Sequence, residues 1–353
     1  MRKIDNYVMS TVGGAMFLVM VVVLSLDVIF AFIAELEDTR NDYQTLQALW
    51  YVALTLPRRI YDYLPLGAFM GCLVGLGTMA SSSELTVIRA AGVSLKRIVW
   101  SAMKPALVVV LLGVVIGEYV APTTERIAQS DKAVALGAGK NVAAAHGVWH
   151  REGNTFMHLN AVQPDGVLVG VSLFEFDSER QLVMSSFSER AEFNGDHWTL
   201  ENVVATRMEE ERTVRDEYSS LRWETGLSPS VLSVLIVKPE NLSMSGLFTY
   251  ARYLGEQGLT AAQYWLAFWK KALMPLGTAV MVLVAISFVF GPLRSVTMGF
   301  RVFTGLLVGL LFKYMQDLLG PMSMVYGFNP LFAVLAPIVV NAVVGAILMR
   351  KAG

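Results

Sequence analysis

Residues 8 to 33 read VMSTVGGAMFLVMVVVLSLDVIFAFI, an apolar run interrupted by a single charge, Asp27. A helix crossing a hydrocarbon core takes about 20 such residues, whereas the apolar core of a secretory signal runs to only about 15. The stretch is therefore read as an uncleaved first span, although Arg2 and Lys3 in front of it imitate the basic start of a signal. Five further runs of this kind follow, at about 60–80, 98–120, 272–290, 299–319 and 330–349. Their spacing is three spans, a long gap, then three spans.

Composition agrees with two environments. Of 353 residues, 54% are hydrophobic and only 16% charged, against roughly 25% charged in an average soluble domain. Residues 151 to 224 carry seven Lys+Arg and fifteen Asp+Glu, so 21 basic and 14 acidic residues remain elsewhere. A formal total of −1 thus hides an acidic aqueous insert and a basic remainder. Orientation follows from the short connections. Arg2, Lys3, Arg89, Lys96, Arg97, Lys104, Arg294, Arg301, Arg350 and Lys351 share one side, and the opposite connections hold little beyond Arg40. Both termini are expected inside and the insert outside. Cys72 is the single cysteine, so no intrachain disulfide is possible.

Within the gap the period of the hydrophobic pattern changes. Residues 122 to 140 read as a helix leading away from the third span. Beyond it, Val167–Phe176, Gln181–Met184 and Trp198–Leu200 alternate as strands, parted by turn signals at Pro164-Asp165-Gly166 and Asn194-Gly195-Asp196. Short strands at such spacing predict a sandwich or jelly roll. A helix is expected over Ser243–Gly255, and Thr260–Lys271 reads as an interfacial approach to the fourth span. The expected fold is an α-helical membrane protein with six transmembrane helices in a 3+3 order and an inserted all-β, jelly-roll-like domain. Its parts are residues 1–121 with spans one to three, 122–262 with the insert and its connectors, and 263–353 with spans four to six.

Enzymatic motifs are sparse. Gly137-Ala138-Gly139-Lys140-Asn141 lacks the first glycine and the Ser/Thr of a phosphate-binding loop, so ATP-driven work must borrow its ATPase from another chain. His146 and His150 stand four apart, but the local pattern is strand-like and no glutamate completes a zinc motif, so solvated strand positions are the better reading. Asp27, Glu118 and Asp317 lie in or near spans, where carboxylates suggest proton coupling or intramembrane proteolysis. Only Asp27 is far from an interface and no catalytic motif surrounds them, so satisfaction by helix packing or a water-filled cavity is the better reading. Between spans two and three, Ser81 and Glu84 have capping-box spacing, which predicts that Glu84 reaches back to the cap of a short helix ended by Gly92. Leu85, Val87 and Ile88 cannot span anything; they form either an ordinary connection or a knob that docks on a partner.

Ser83-Glu84-Leu85-Thr86-Val87-Ile88-Arg89-Ala90-Ala91-Gly92, Gly117-Glu118-Tyr119-Val120-Ala121-Pro122, Phe290-Gly291-Pro292-Leu293-Arg294-Ser295, Gly320-Pro321 and Val325-Tyr326-Gly327 together carry a resemblance. The chain resembles the paired permeases of the bacterial lipopolysaccharide export transporter, the LptF/LptG or YjgP/YjgQ family. The Gly-Glu-aromatic-Val-Ala-Pro run favours the G-type branch. The resemblance implies a bacterial inner-membrane, non-enzymatic subunit without a cofactor of its own, paired with an LptF-type permease. Two LptB-type ATPases would bind ATP and magnesium below, and an LptC-type protein would join. Lipopolysaccharide would enter between the first span of one permease and the fifth of the other. The segment around Glu84 would be the coupling helix, with Glu84 and Arg89 at the ATPase and Leu85, Val87 and Ile88 in its groove. Arg58 and Lys132 match basic positions used for substrate, with Arg59 and Arg126 beside them; a guanidinium fork suits phosphate. Snorkelling anchors are the plainer role for all four. The segment Glu35-Leu36-Glu37-Asp38 departs from the pattern, being acidic where lysines are found in the family, which makes divalent-cation bridging or a different headgroup possible. The alternatives to a lipid extractor are a proton-coupled carrier using Asp27 and a signalling scaffold that moves the outer domain without moving lipid.

Overall fold

The structure, a computed structural model, describes residues 2–39, 42–136, 148–162, 167–209, 212–227, 239–256, 260–291 and 296–352. The Gly137–Asn141 motif, His146, the Pro164-Asp165-Gly166 turn, Arg40 and Arg294 lie outside them.

Six helices among the described residues are long and apolar enough to cross a membrane. They are α1 (Arg2–Leu36), α2 (Thr45–Ser81), α4 (Leu95–Val115) continued through a π-helical turn (Ile116–Val120) into α5 (Ala121–Ala135), α7 (Ala262–Phe290), α8 (Met298–Tyr326) and α9 (Pro330–Ala352). Short α3 (Glu84–Ala90) joins α2 to α4, and α6 (Met244–Glu256) precedes α7. Each apolar run read from the sequence falls inside one of these helices. The helices are longer than the runs because backbone hydrogen bonds must stay satisfied until the chain is well clear of lipid.

The chain divides into two compact units: Met1–Ile29, Leu56–Ala121 and Ser243–Gly353 in one, Phe30–Thr55 with Pro122–Leu242 in the other. The first has a core drawn from all its spans, including Val12, Met16, Phe69, Cys72, Leu76, Leu85, Ile98, Val282, Ile286 and Ile338. Without a hydrophobic drive between helices in lipid, close backbone approach supplies the packing. Gly67, Gly71 and Gly75 form such a small-residue stripe on α2: a Cβ on Gly71 would lie 2.3 Å from Met16 Cα, and one on Gly75 2.9 Å from Val12 Cα. Nothing larger than hydrogen fits there. The first turn of α6 is capped by Glu118, and its Phe248 packs edge-on against Trp265 of α7.

The second unit contains a six-stranded antiparallel sheet: β1 (Val148–Glu152), β2 (Thr155–Val162), β3 (Leu168–Phe176), β4 (Leu182–Phe193), β5 (Trp198–Met208) and β6 (Thr213–Trp223). Strands neighbour one another in chain order. Met157, Leu159, Leu168, Val171, Leu173, Trp198, Leu200 and Val203 face its core, and buried Trp198 donates its indole N–H to the Leu227 carbonyl at 2.8 Å. The expected all-β insert is present, with strands longer than the alternation suggested. β4 runs on through Ser185–Phe193, and β6 is polar along most of its length. Cross-strand pairing holds these residues extended where their own pattern carries little apolar signal.

Candidate functional site

Helix α3 departs from the capping-box expectation. α2 continues through Ser81, so the Ser81 hydroxyl turns back and donates to the Thr78 carbonyl at 2.9 Å. Ser83 occupies the cap position in a left-handed conformation, φ 60°, without a side-chain cap bond. Glu84 is left to make different bonds. Its Oε1 accepts from the Ser82 hydroxyl at 2.9 Å, and its Oε2 accepts from the Tyr7 hydroxyl of α1 at 2.8 Å. Gly92, at φ 83°, ends the helix as expected, its N–H bonded to the Arg89 carbonyl.

The three apolar residues of α3 part company. Leu85 is buried in the core of its own chain, Ile88 packs against that core, and Val87 is 66% exposed. Arg89 is exposed beside it. A cavity of about 460 Å³ flanks the helix, lined by Lys3, Ile4, Tyr7, Ser82, Glu84, Val87 and Ile88. What α3 presents outward is therefore Thr86, Val87, Arg89 and Ala90, with Glu84 half-buried at its start.

The basic positions belong to two settings. In the spanning unit, Arg59 Nη1 pairs with Asp27 Oδ2 at 2.7 Å, and Tyr63 donates to Asp27 Oδ1 at 2.8 Å. Asp27 is thus a partnered carboxylate, held by Arg59 and Tyr63 together. Arg58 lies 3.9 Å from Asp62, one helical turn on. In the other unit, Lys132 Nζ is ion-paired to Glu35 and, at 2.9 Å, to Asp38. It lies over the rings of Tyr51 and Tyr43, 4.9 Å and 5.4 Å from their centroids. Tyr43 donates to Glu35 at 2.7 Å; burial first, and that carboxylate second, push its phenol pKa up, so it stays protonated. Gln129 donates to the Tyr51 hydroxyl at 3.0 Å, and Arg126 donates from Nε to the Pro122 carbonyl at 3.2 Å. Beside Lys132 opens a cavity of about 710 Å³ whose walls include Asp42, Gln47, Trp50, Tyr51, Asp131 and Lys132. The acidic segment Glu35-Leu36-Glu37-Asp38, where the sequence departs from the family pattern and suggests cation bridging or a different headgroup, supplies the counter-charges of this lysine through Glu35 and Asp38.

Several charges that the sequence shows in or near spans acquire their partners only in the structure. Glu118 accepts from the Met244 and Ser245 N–H groups at 2.7 and 3.2 Å and from the Ser245 hydroxyl at 2.6 Å, making it the cap of α6. Lys271 of α7 donates to the Gly117 carbonyl in the π-turn at 3.3 Å and lies over Tyr61, 5.1 Å from its ring centroid. Arg301, counted among connection charges, is only 1% exposed in the first turn of α8 and donates to the Gly77 carbonyl of α2 at 2.6 Å. The signal in each case is a charge inside an apolar run, and its partner is not sequence-adjacent.

Comparison with known proteins covers the chain nearly end to end. The family model described as "Lipopolysaccharide export system permease LptF/LptG" matches residues 6–351. The chain is 35% identical over 338 residues to the lipopolysaccharide export system permease protein LptG of Escherichia coli (strain K12), spanning 95% of this chain and 94% of that protein. It is 34% identical over 339 residues to the protein of the same description from Haemophilus influenzae, spanning 95% of each.

Proposed function

The chain belongs to the LptF/LptG family of lipopolysaccharide export permeases, and from that premise we propose that it is the G-type permease subunit of an ATP-binding-cassette transporter that extracts lipopolysaccharide from the outer leaflet of the bacterial inner membrane. It performs no bond chemistry. Two LptB-type ATPases bind and hydrolyse ATP with magnesium, an LptF-type permease completes the lipid cavity, and an LptC-type protein continues the route toward the outer membrane. Both termini lie in the cytoplasm and the sheet domain in the periplasm, in keeping with the one-sided distribution of Lys and Arg in the short connections. Acyl chains resist leaving lipid at about 0.8 kcal/mol per methylene, so the periplasmic sheet must offer them an apolar path.

The observation that carries the reading is α3: a short helix presenting Val87 and Arg89 outward, with a Glu84 carboxylate held by two hydroxyl donors. A carboxylate fixed in this way meets a basic residue on an ATPase without the entropy cost of a loose side chain. Leu85 and Ile88 anchor the helix to its own chain, so Val87 is the residue that enters the partner's groove. For the phosphorylated headgroup, the candidate contacts are Arg58 and Arg59 in one unit and Lys132 and Arg126 in the other, each unit taken by itself. For Lys132 this requires exchange of Glu35 and Asp38 for phosphate, or a divalent cation shared between them.

The decisive experiment is reconstitution of the full chain with its partner permease and ATPase, with lipopolysaccharide release to a soluble acceptor as readout. Glu84→Arg is expected to abolish ATP-dependent release while the protein still folds and inserts. Undiminished release by that variant, or purified protein that never associates with an ATPase, defeats the proposal. Arg58→Ala combined with Lys132→Ala should weaken lipopolysaccharide binding about tenfold, in line with the loss of charge-assisted hydrogen bonds. Equal binding would leave both as membrane anchors.

A further inference from the structure

Three contacts, four hydrogen bonds in all, join spans α1, α4 and α8 to one another and to α3 and the end of α2. Tyr7 of α1 donates to Glu84 at 2.8 Å. Two residues earlier on α1, Asp5 takes a two-pronged pair from Arg97 of α4, with Nε to Oδ1 at 2.9 Å and Nη2 to Oδ2 at 2.7 Å. Arg301 of α8 donates from Nη1 to the Gly77 carbonyl at 2.6 Å, in the last turns of α2 just before α3.

Arg301 is the most telling of these. A guanidinium in the first turn of a helix opposes the partial positive charge there, and burial of a charge is costly unless it is compensated. The Gly77 carbonyl compensates that cost in part, because the carbonyl-rich end of α2 is where a cation is favoured. The approach is also close: a Cβ on Gly77 would lie 3.3 Å from Arg301 Cδ and 3.3 Å from Met298 Sδ. The arginine thus fastens the start of α8 to the segment that carries α3. Tyr7 does the same for α1, through the residue that is expected to face the motor.

We propose that Tyr7 and Arg301 are positioning residues that tie the coupling helix to spans α1 and α8, so that one displacement of α3 moves both of this chain's lipid-gate helices together. This rests on the reading of α3 as the coupling helix and of the first and fifth spans as the lipid gate. A permease without these ties would still dock its ATPase and allow hydrolysis, but the stroke would spread into a loose connection before reaching the gate.

The test measures lipopolysaccharide released per ATP hydrolysed by the complete transporter in nanodiscs, alongside the thermal midpoint of the complex. Tyr7→Phe and Arg301→Met are each expected to lower that ratio about tenfold, the upper part of the range for residues that couple distant sites, with little change in midpoint. Arg301→Lys, which retains a charged donor, is expected to recover much of the ratio. Tyr7→Phe removes one hydroxyl and carries the test should Arg301→Met fail to assemble. A ratio unchanged in Tyr7→Phe, or hydrolysis and release falling in parallel, overturns the inference. In either case wild-type release coupled to ATP leaves the broader proposal standing, whereas wild-type protein that neither binds an ATPase nor releases lipid defeats that proposal itself.

Discussion

At the scale of single residues, several charges within the spanning helices meet a specific partner among the described residues. Arg59 and Asp27 have side chains 15% and 19% exposed and meet at 2.7 Å. Removing one member of such a pair leaves the other buried without its counter-charge, which typically costs about 3 kcal/mol, whereas removing both is far milder. Arg59→Met is accordingly expected to lower the thermal midpoint of the detergent-solubilised protein, and Asp27→Asn in the same chain to restore most of it. If the double variant were as unstable as the single, Arg59 would be acting through packing instead. None of these pairings was legible beforehand. Asp27 was visible as an anomaly in its run, but Arg59 and Tyr63 stand 32 and 36 residues away and carry no mark of it. Lys132 and Asp38, 94 residues apart, make the same point.

At the scale of elements, the sequence is most informative where a local rule governs and least where a partner does. Gly92 announced the end of α3 because a left-handed residue there suits glycine. The capping box failed because its spacing is equally compatible with a helix that runs on through Ser81. The stripe Gly67, Gly71, Gly75 was readable in principle, since glycines four apart in an apolar run signal close helix contact; which helix approached was not. Gly71→Ala is expected to cost about 2 kcal/mol, because a Cβ there would lie 2.3 Å from Met16 Cα, part of the backbone of α1. Gly14→Ala, at a position where a Cβ meets nothing within 4 Å, should be neutral or slightly stabilising in the same melting experiment. In the sheet, β6 carries little apolar alternation before Leu221 and Trp223, which pack against the core. β5, which it pairs with from Trp198↔Trp223 to Met208↔Thr213, defines it instead.

At the scale of the whole molecule, the acidic insert and basic remainder correspond to two different solvents, and acid should affect the insert separately. His150 in β1 and His158 in β2 both have pKa values held below the ordinary imidazole value by burial, with Glu152 partly opposing this for His150. Below about pH 6.5 the unfolded domain takes up protons that the folded one resists. The contribution is therefore full above that pH and is lost as pH falls from there through the lower pKa values of the folded state. Tryptophan fluorescence of the protein should show the sheet domain melting earlier at about pH 5.5 than at about 7.5, and His150→Gln with His158→Gln should flatten the difference; a midpoint that does not move with pH would remove these histidines from the domain's stability. By itself the chain of residues determined six spans, their 3+3 order and the β insert, together with a recognisable helix between spans two and three, because hydropathy, periodicity and a glycine at a cap are properties of neighbours in sequence. Only the tertiary structure decided that Glu84 is held by Tyr7, that Leu85 faces inward while Val87 faces out, and that Lys132 is held by Glu35 and Asp38. Each of those depends on which distant segment arrives alongside, and the energy of an ion pair or a packed methyl depends on distance in space rather than on separation along the chain.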